Sequence, residues 1–187
     1  MMKKLLFIAV LFTFAIAAVA QDTATDEVAP EAYLSAYLSC DPPRTCILNK
    51  PRGATVMTLD YYYYYDENNE SVYILSLTSP QDGWWKIVEL WTIEDDVTSS
   101  LTGSDTGEYW IHYSALGLDT RNYGEQEIYL RAEPDEEAAV VFTTNKELSL
   151  MPLDIHGDWV KVMVCGHGIV GWIEAEWLCS NPLTNCC

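Results

Sequence analysis

His156-Gly157-Asp158-Trp159-Val160-Lys161-Val162, followed by Gly171-Trp172-Ile173 and closed by Leu178, is the stretch that decides the fold. An earlier stretch repeats it: Gln81-Asp82-Gly83-Trp84-Trp85-Lys86-Ile87, then Tyr109-Trp110-Ile111, closed by Leu116. In each copy the second tryptophan precedes the closing leucine by six positions. Repetition at this scale means two copies of one folding unit.

Outward from the later cassette the pattern is short strands and turns. Glu127–Ala132 is a strand and Glu133–Glu136 a loop. Ala138–Thr143 and Leu148–Ile155 are strands, and Trp159–Val164 with Ile169–Ile173 forms a hairpin around Cys165-Gly166-His167-Gly168. Glu174–Leu178 reads as one 3₁₀ turn and a last short strand. Short strands with evenly spaced turn signals predict a small closed or nearly closed barrel. Its core is expected to be aromatic, built on Trp84, Trp110, Trp159 and Trp172 across the two copies. The earlier copy is looser. Ala54–Asp60 alternates, Tyr61–Tyr65 is a run of strand-forming tyrosines, and Ser71–Ser76 is expected to return as the second arm of a hairpin. Trp84–Trp91 and Glu108–Tyr113 are strands, separated by an acidic loop. Ala32–Ser39 reads equally as a short helix or a first strand.

Tyr129-Leu130-Arg131-Ala132-Glu133-Pro134, Gly157-Asp158-Trp159-Val160-Lys161-Val162 and Gly171-Trp172-Ile173 with Leu178 together resemble the bacterial SH3-like (SH3b) domains. The likeness spans roughly residues 127–178. The earlier copy resembles the family less closely: its opening, Ile47-Leu48-Asn49-Lys50-Pro51, is one residue shorter and places Asn49 where arginine is usual, and Tyr109 replaces a glycine. The resemblance implies an accessory module of exported bacterial proteins that recognises cell-wall peptide bridges or other peptides. Such modules are often fused to peptidoglycan hydrolases of the NlpC type, and no such catalytic domain is expected here.

The expected organisation is a signal peptide at 1–20, an acidic tether at 21–39, a divergent SH3-like domain with a long inserted loop at 40–122, and a second SH3-like domain at 123–187. Lys3 and Lys4, the apolar run Leu5–Val19 and the small-residue exit Ala18-Val19-Ala20 make the leader. The run is shorter than the roughly 20 residues of a spanning helix, so cleavage is expected, with no membrane insertion afterwards. The mature protein would then reside in the periplasm or at the cell surface. A formal net charge of −18 excludes nucleic acid and anionic lipid as partners.

Six cysteines in an exported chain predict a disulfide framework. Cys40 and Cys46 flank a turn and are expected to pair. Adjacent Cys186 and Cys187 are expected to reach back, one to Cys165 and one to Cys179. A metal site from Cys165, His167 and the terminal pair is the disfavoured alternative. A cysteine hydrolase built on Cys165 and His167 is more remote still, because Gly166 and Gly168 favour a turn. His112 reads as an ordinary strand residue. The acidic loop, with Glu94-Asp95-Asp96 and Asp105, is expected to be solvated, with calcium binding over 94–105 the alternative. No phosphate loop, zinc-protease helix or serine elbow is present, so no cofactor, resident metal or catalytic residue is expected.

The strongest candidate site is an aromatic surface. Trp85, Trp91 and Trp177, with Tyr61, Tyr63 and Tyr65, exceed what two cores need. Aromatic faces beside carboxylates suit peptides that carry amines. The expected protein is therefore all-β: two tandem SH3-like barrels, disulfide-stapled and non-enzymatic, binding a peptide, a peptidoglycan stem peptide or a protein partner. The alternative is an adaptor holding one protein partner.

Overall fold

The computed structural model describes residues 33–39, 41–60, 72–92, 101 and 103–183. Among them the secondary structure is all-β, with two single 3₁₀ turns. The first part contains β1 (Leu34–Leu38), β2 (Arg44–Leu48), β3 (Thr55–Asp60), β4 (Tyr73–Gln81), β5 (Trp84–Thr92) and β6 (Trp110–His112). A 3₁₀ turn, Tyr113–Ala115, leads to β7 (Leu116–Thr120). Then follow β8 (Ile128–Arg131), β9 (Val140–Thr144), β10 (Ser149–His156), β11 (Trp159–Val164) and β12 (Val170–Glu174). A second 3₁₀ turn, Ala175–Trp177, ends in β13 (Leu178–Cys179). No helix among the described residues is long and apolar enough to cross a membrane.

The strands form one open antiparallel sheet in the order β3-β2-β6-β5-β4-β1-β7-β10-β11-β12-β8-β9, with β13 on β7. The two halves repeat the same pairings. Lys86 faces Trp110 across β5 and β6, as Lys161 faces Trp172 across β11 and β12. Tyr113 donates its N–H to Gly83 O and Ala175 to Asp158 O, at 2.9 and 2.7 Å. Ser39 donates to Ala115 O and Arg121 to Trp177 O, at 2.9 and 3.0 Å. The equal Trp-to-Leu spacing in the sequence is thus the spacing of one strand, one 3₁₀ turn and one closing strand.

β7 serves both halves. Its first residues, Leu116 and Gly117, close the first half against Leu38 and Tyr37 of β1. Its last residues lead the second half: Leu118 and Asp119 pair with β10, and Asp119 and Thr120 with β13. One core cluster accordingly runs through both halves, from Leu38, Leu75 and Ile111 through Leu116 and Leu118 to Leu130, Val160 and Ile173.

Several expectations are corrected here. β4 has β1 on one side and β5 on the other, so its Ile74–Leu77 stretch has both edges taken; the first arm of the expected hairpin, Tyr61–Tyr65, lies outside the described residues. Of the stretch left open between helix and strand, Leu34–Leu38 is a strand, held by β4 and β7. Leu48, not Asn49, occupies the place of Arg131: Leu48 pairs with Trp110 as Arg131 pairs with Trp172, each beside an irregularity in the neighbouring ladder. Cys46 and Cys165 carry free thiols, against the expected Cys40–Cys46 pair and a bond from the terminal pair to Cys165. Cys46 is exposed on β2, and Cys165 sits in the turn after β11 with its N–H on Ser149 O.

Candidate functional site

Strand alternation places the aromatic side chains. In β11, Val160, Val162 and Val164 are buried, so Trp159, Lys161 and Met163 take the other face and are half-buried. In β5 the same parity buries Trp85 and Ile87 and leaves Trp84 and Lys86 partly open. Trp85 is fully buried, and its indole donates from Nε1 to Pro152 O at 3.0 Å. It is a core residue and is withdrawn from the aromatic surface. Trp91 is half-buried near the far end of β5, opposite Ile74. Tyr61, Tyr63 and Tyr65 lie outside the described residues. Of the expected set, Trp177 lines a groove.

That groove, about 220 Å³, lies between β8 and the β11–β12 side of the sheet. Trp159, Trp177 and Tyr129 supply its aromatic lining, and Glu127, Glu174 and Glu176 its carboxylates. Glu174 stands opposite Trp159 in the ladder and accepts the Trp177 Nε1–H at 3.3 Å. The Tyr129 hydroxyl donates to Glu127 Oε2 at 2.9 Å, and that bond holds the phenol above its usual pKa. Arg131 is the groove's single basic residue. Its guanidinium donates to Ala138 O at 2.9 Å and lies 6.0 Å from the Tyr129 ring centre. Trp159 was expected in the core. The period-two pattern with Lys161 was the signal that places it on the outer face.

At the equivalent position the first half carries an imidazole and not a carboxylate. His112 stands opposite Trp84, where Glu174 stands opposite Trp159. The imidazole meets Trp84 edge-on at 5.1 Å and Tyr113 at 4.4 Å, filling the place with rings. Burial holds the imidazole below its usual pKa.

A second concavity, about 780 Å³, follows the seam between the halves, where Tyr37, Leu116, Leu150, Met151 and Cys165 line it. Beside it, Asp119 Oδ1 accepts the Tyr37 hydroxyl at 3.1 Å and the Ser149 hydroxyl at 2.9 Å. Burial first, and then the Asp119 carboxylate, push the Cys165 thiol up. An activated nucleophile needs the opposite shift. Among the described residues no group of three or more His, Cys, Asp or Glu side chains is placed to hold a metal. Most of the 94–105 loop lies outside those residues. Its Asp105 carboxylate accepts from Asn49 Nδ2 at 3.1 Å.

No family model matches the chain. No curated protein matches it either. The solved structures that align with it include NlpC1 and NlpC2 of Trichomonas vaginalis, each at 12% identity, with TM-scores of 0.30 and 0.31. The alignments cover 79% and 82% of this chain but 46% and 50% of those chains, so the chain spans about half the length of either.

Proposed function

We propose that this chain is a non-catalytic, exported binding module of two tandem SH3-like units, and that it takes an amine-bearing peptide in the Trp159–Trp177 groove. A peptidoglycan stem peptide with a free amino group is the ligand class that best suits it. The observation that carries the reading is the juxtaposition of Trp159, Trp177 and Tyr129 with Glu127, Glu174 and Glu176 in one groove. An ammonium group there meets aromatic faces and carboxylates together, and each cation–π contact contributes about 0.5–2 kcal/mol. The overall acidity adds long-range attraction for a cation. Export is supported by the leader-like N-terminus and by Cys179, which is disulfide-bonded.

The test is tryptophan-fluorescence titration of residues 21–187 with a free-amine stem peptide and its acetylated form, alongside retention on purified sacculi. Binding of the free amine is expected, weakened about tenfold by Trp177→Ala or by acetylation. No binding at low salt by the folded protein, or equal affinity for the acetylated peptide, overturns the reading.

A further inference from the structure

The sheet ends at β9, and among the described residues nothing pairs with that strand's outer edge. Its sequence is Val140-Val141-Phe142-Thr143-Thr144. Exposed sheet edges are normally blunted by charge, proline or a covering segment, because unpaired N–H and C=O groups invite another strand. β9 contains no charge and no proline. It is also apolar on its flank: Val140 and Val141 are 46% and 47% exposed, and Tyr129 on the adjoining β8, opposite Thr143, is 42% exposed.

The first half differs at the corresponding place. β3 is the counterpart of β9 and ends the sheet on the other side. There a segment of the chain's own inserted loop comes over the β2–β3 hairpin. Leu101 packs on the core cluster with Val56 and Met57. A Cβ on Gly103 would sit 3.5 Å from Val56 O. Thr106 Oγ1 donates to Asn49 O at 3.0 Å. In the second half the corresponding connection is the short turn between β11 and β12, and no described segment comes over β9.

We infer that β9 is a docking edge for an extended, basic segment of a partner protein, added antiparallel or parallel as a further strand. Main-chain hydrogen bonds supply the pairing, and alternate apolar side chains of the segment cover Val140 and Val141. The sign of the charge follows from the loop that feeds the strand. Glu133, Asp135, Glu136 and Glu137 sit there, all exposed. A lysine or arginine at the end of the segment that meets this loop is attracted, and an acidic segment is repelled. A second copy of this chain, itself strongly acidic, is the wrong partner for the same reason.

The probe is a synthetic peptide of alternating valine and threonine flanked by lysines, titrated into isotopically labelled residues 21–187 and followed by amide NMR. Binding is expected to shift and protect β9 amides, with affinity falling about tenfold or more for an analogue N-methylated at alternate residues, since several main-chain hydrogen bonds are lost. The Val140→Lys variant, checked for an unchanged melting temperature, is expected to lose the same protection. Equal affinity for the N-methylated peptide, or no binding to a folded protein, overturns the inference. So do shifts confined to Trp159 and Trp177, which would leave the groove reading standing. If the groove reading fails instead, the β9 response still stands, because it is read from residues 140–144 and none of these lines the groove.

Discussion

Trp85 of the first half donates its indole N–H to the main-chain carbonyl of Pro152 in the second, at 3.0 Å and with no exposure to solvent. Pro152 lies where the β10–β11 ladder shifts register. Its carbonyl therefore takes a side-chain donor at an irregular point of the sheet. The bond joins the two copies through the side chain that is largest among the fully buried ones.

Trp85→Phe keeps most of the apolar volume and removes the donor. A buried carbonyl left unpaired costs about 1–3 kcal/mol, so the urea midpoint is expected to fall accordingly with an unchanged slope. Affinity for an amine-bearing peptide is expected to stay within about twofold of wild type, because Trp85 contributes no surface to the groove. A selective loss of binding at unchanged stability would contradict this placement of the residue.

The double use of β7 is expected to make the two halves one cooperative unit. Leu118 is 1% exposed, pairs with Leu150 and stands in the shared core. Leu118→Ala is expected to cost about 2–5 kcal/mol. The loss should appear as one transition moved to lower urea, whether followed by tryptophan fluorescence or by far-ultraviolet circular dichroism. Two separated transitions would show that the halves melt independently and that β7 does not couple them.

Sequence patterning carried the repeat and most strand positions, because both rest on local signals: alternation, turn residues and equal spacing. Three features were invisible to it for one reason. The sharing of β7, the match of Leu48 with Arg131 and the placement of β4 between β1 and β5 are properties of register between distant strands. An irregularity of a single residue in the β2–β3 ladder moves the alignment by one and leaves no mark on composition. The groove was half legible. Trp177 stood out as surplus, but Trp159 was set in the core by its repeat position, although its alternation with Lys161 places it outside. Glu174 is read only from the ladder that sets it opposite Trp159.

His112 makes the first half sensitive to acid. Its Nδ1 lies 2.8 Å from Ser114 Oγ and accepts the Ser114 N–H at 3.4 Å, a role open only to the unprotonated nitrogen. Burial lowers its pKa in the folded protein, so the unfolded chain takes the proton first. Stability carries no penalty above the unfolded value of about 6.5 and falls as pH drops below it, until the folded ring also titrates. His112→Asn keeps an acceptor at this cap but cannot titrate. Between about pH 7.5 and about pH 5.5 the melting temperature of wild type is expected to drop further than that of the variant. Parallel curves for the two proteins would remove His112 as the source.

The ring of Tyr37 lies over the main chain of Gly117, its partner in the β1–β7 ladder, on the way to Asp119. A Cβ on Gly117 would collide with that ring, and φ at Gly117 is not in the left-handed region. The demand for glycine is therefore steric and comes from one side chain. Gly117→Ala is expected to cost about 1–3 kcal/mol as an overpacked site. In a Tyr37→Ala background the ring that blocks the methyl group is gone, and the cost should fall below about 0.5 kcal/mol or reverse, since alanine restricts the unfolded chain more than glycine does. The Tyr37→Ala change also removes one hydroxyl from Asp119, but that loss is common to both arms of the double-mutant cycle and cancels. A cost for Gly117→Ala that is the same in both backgrounds would mean that something other than the Tyr37 ring excludes the methyl group.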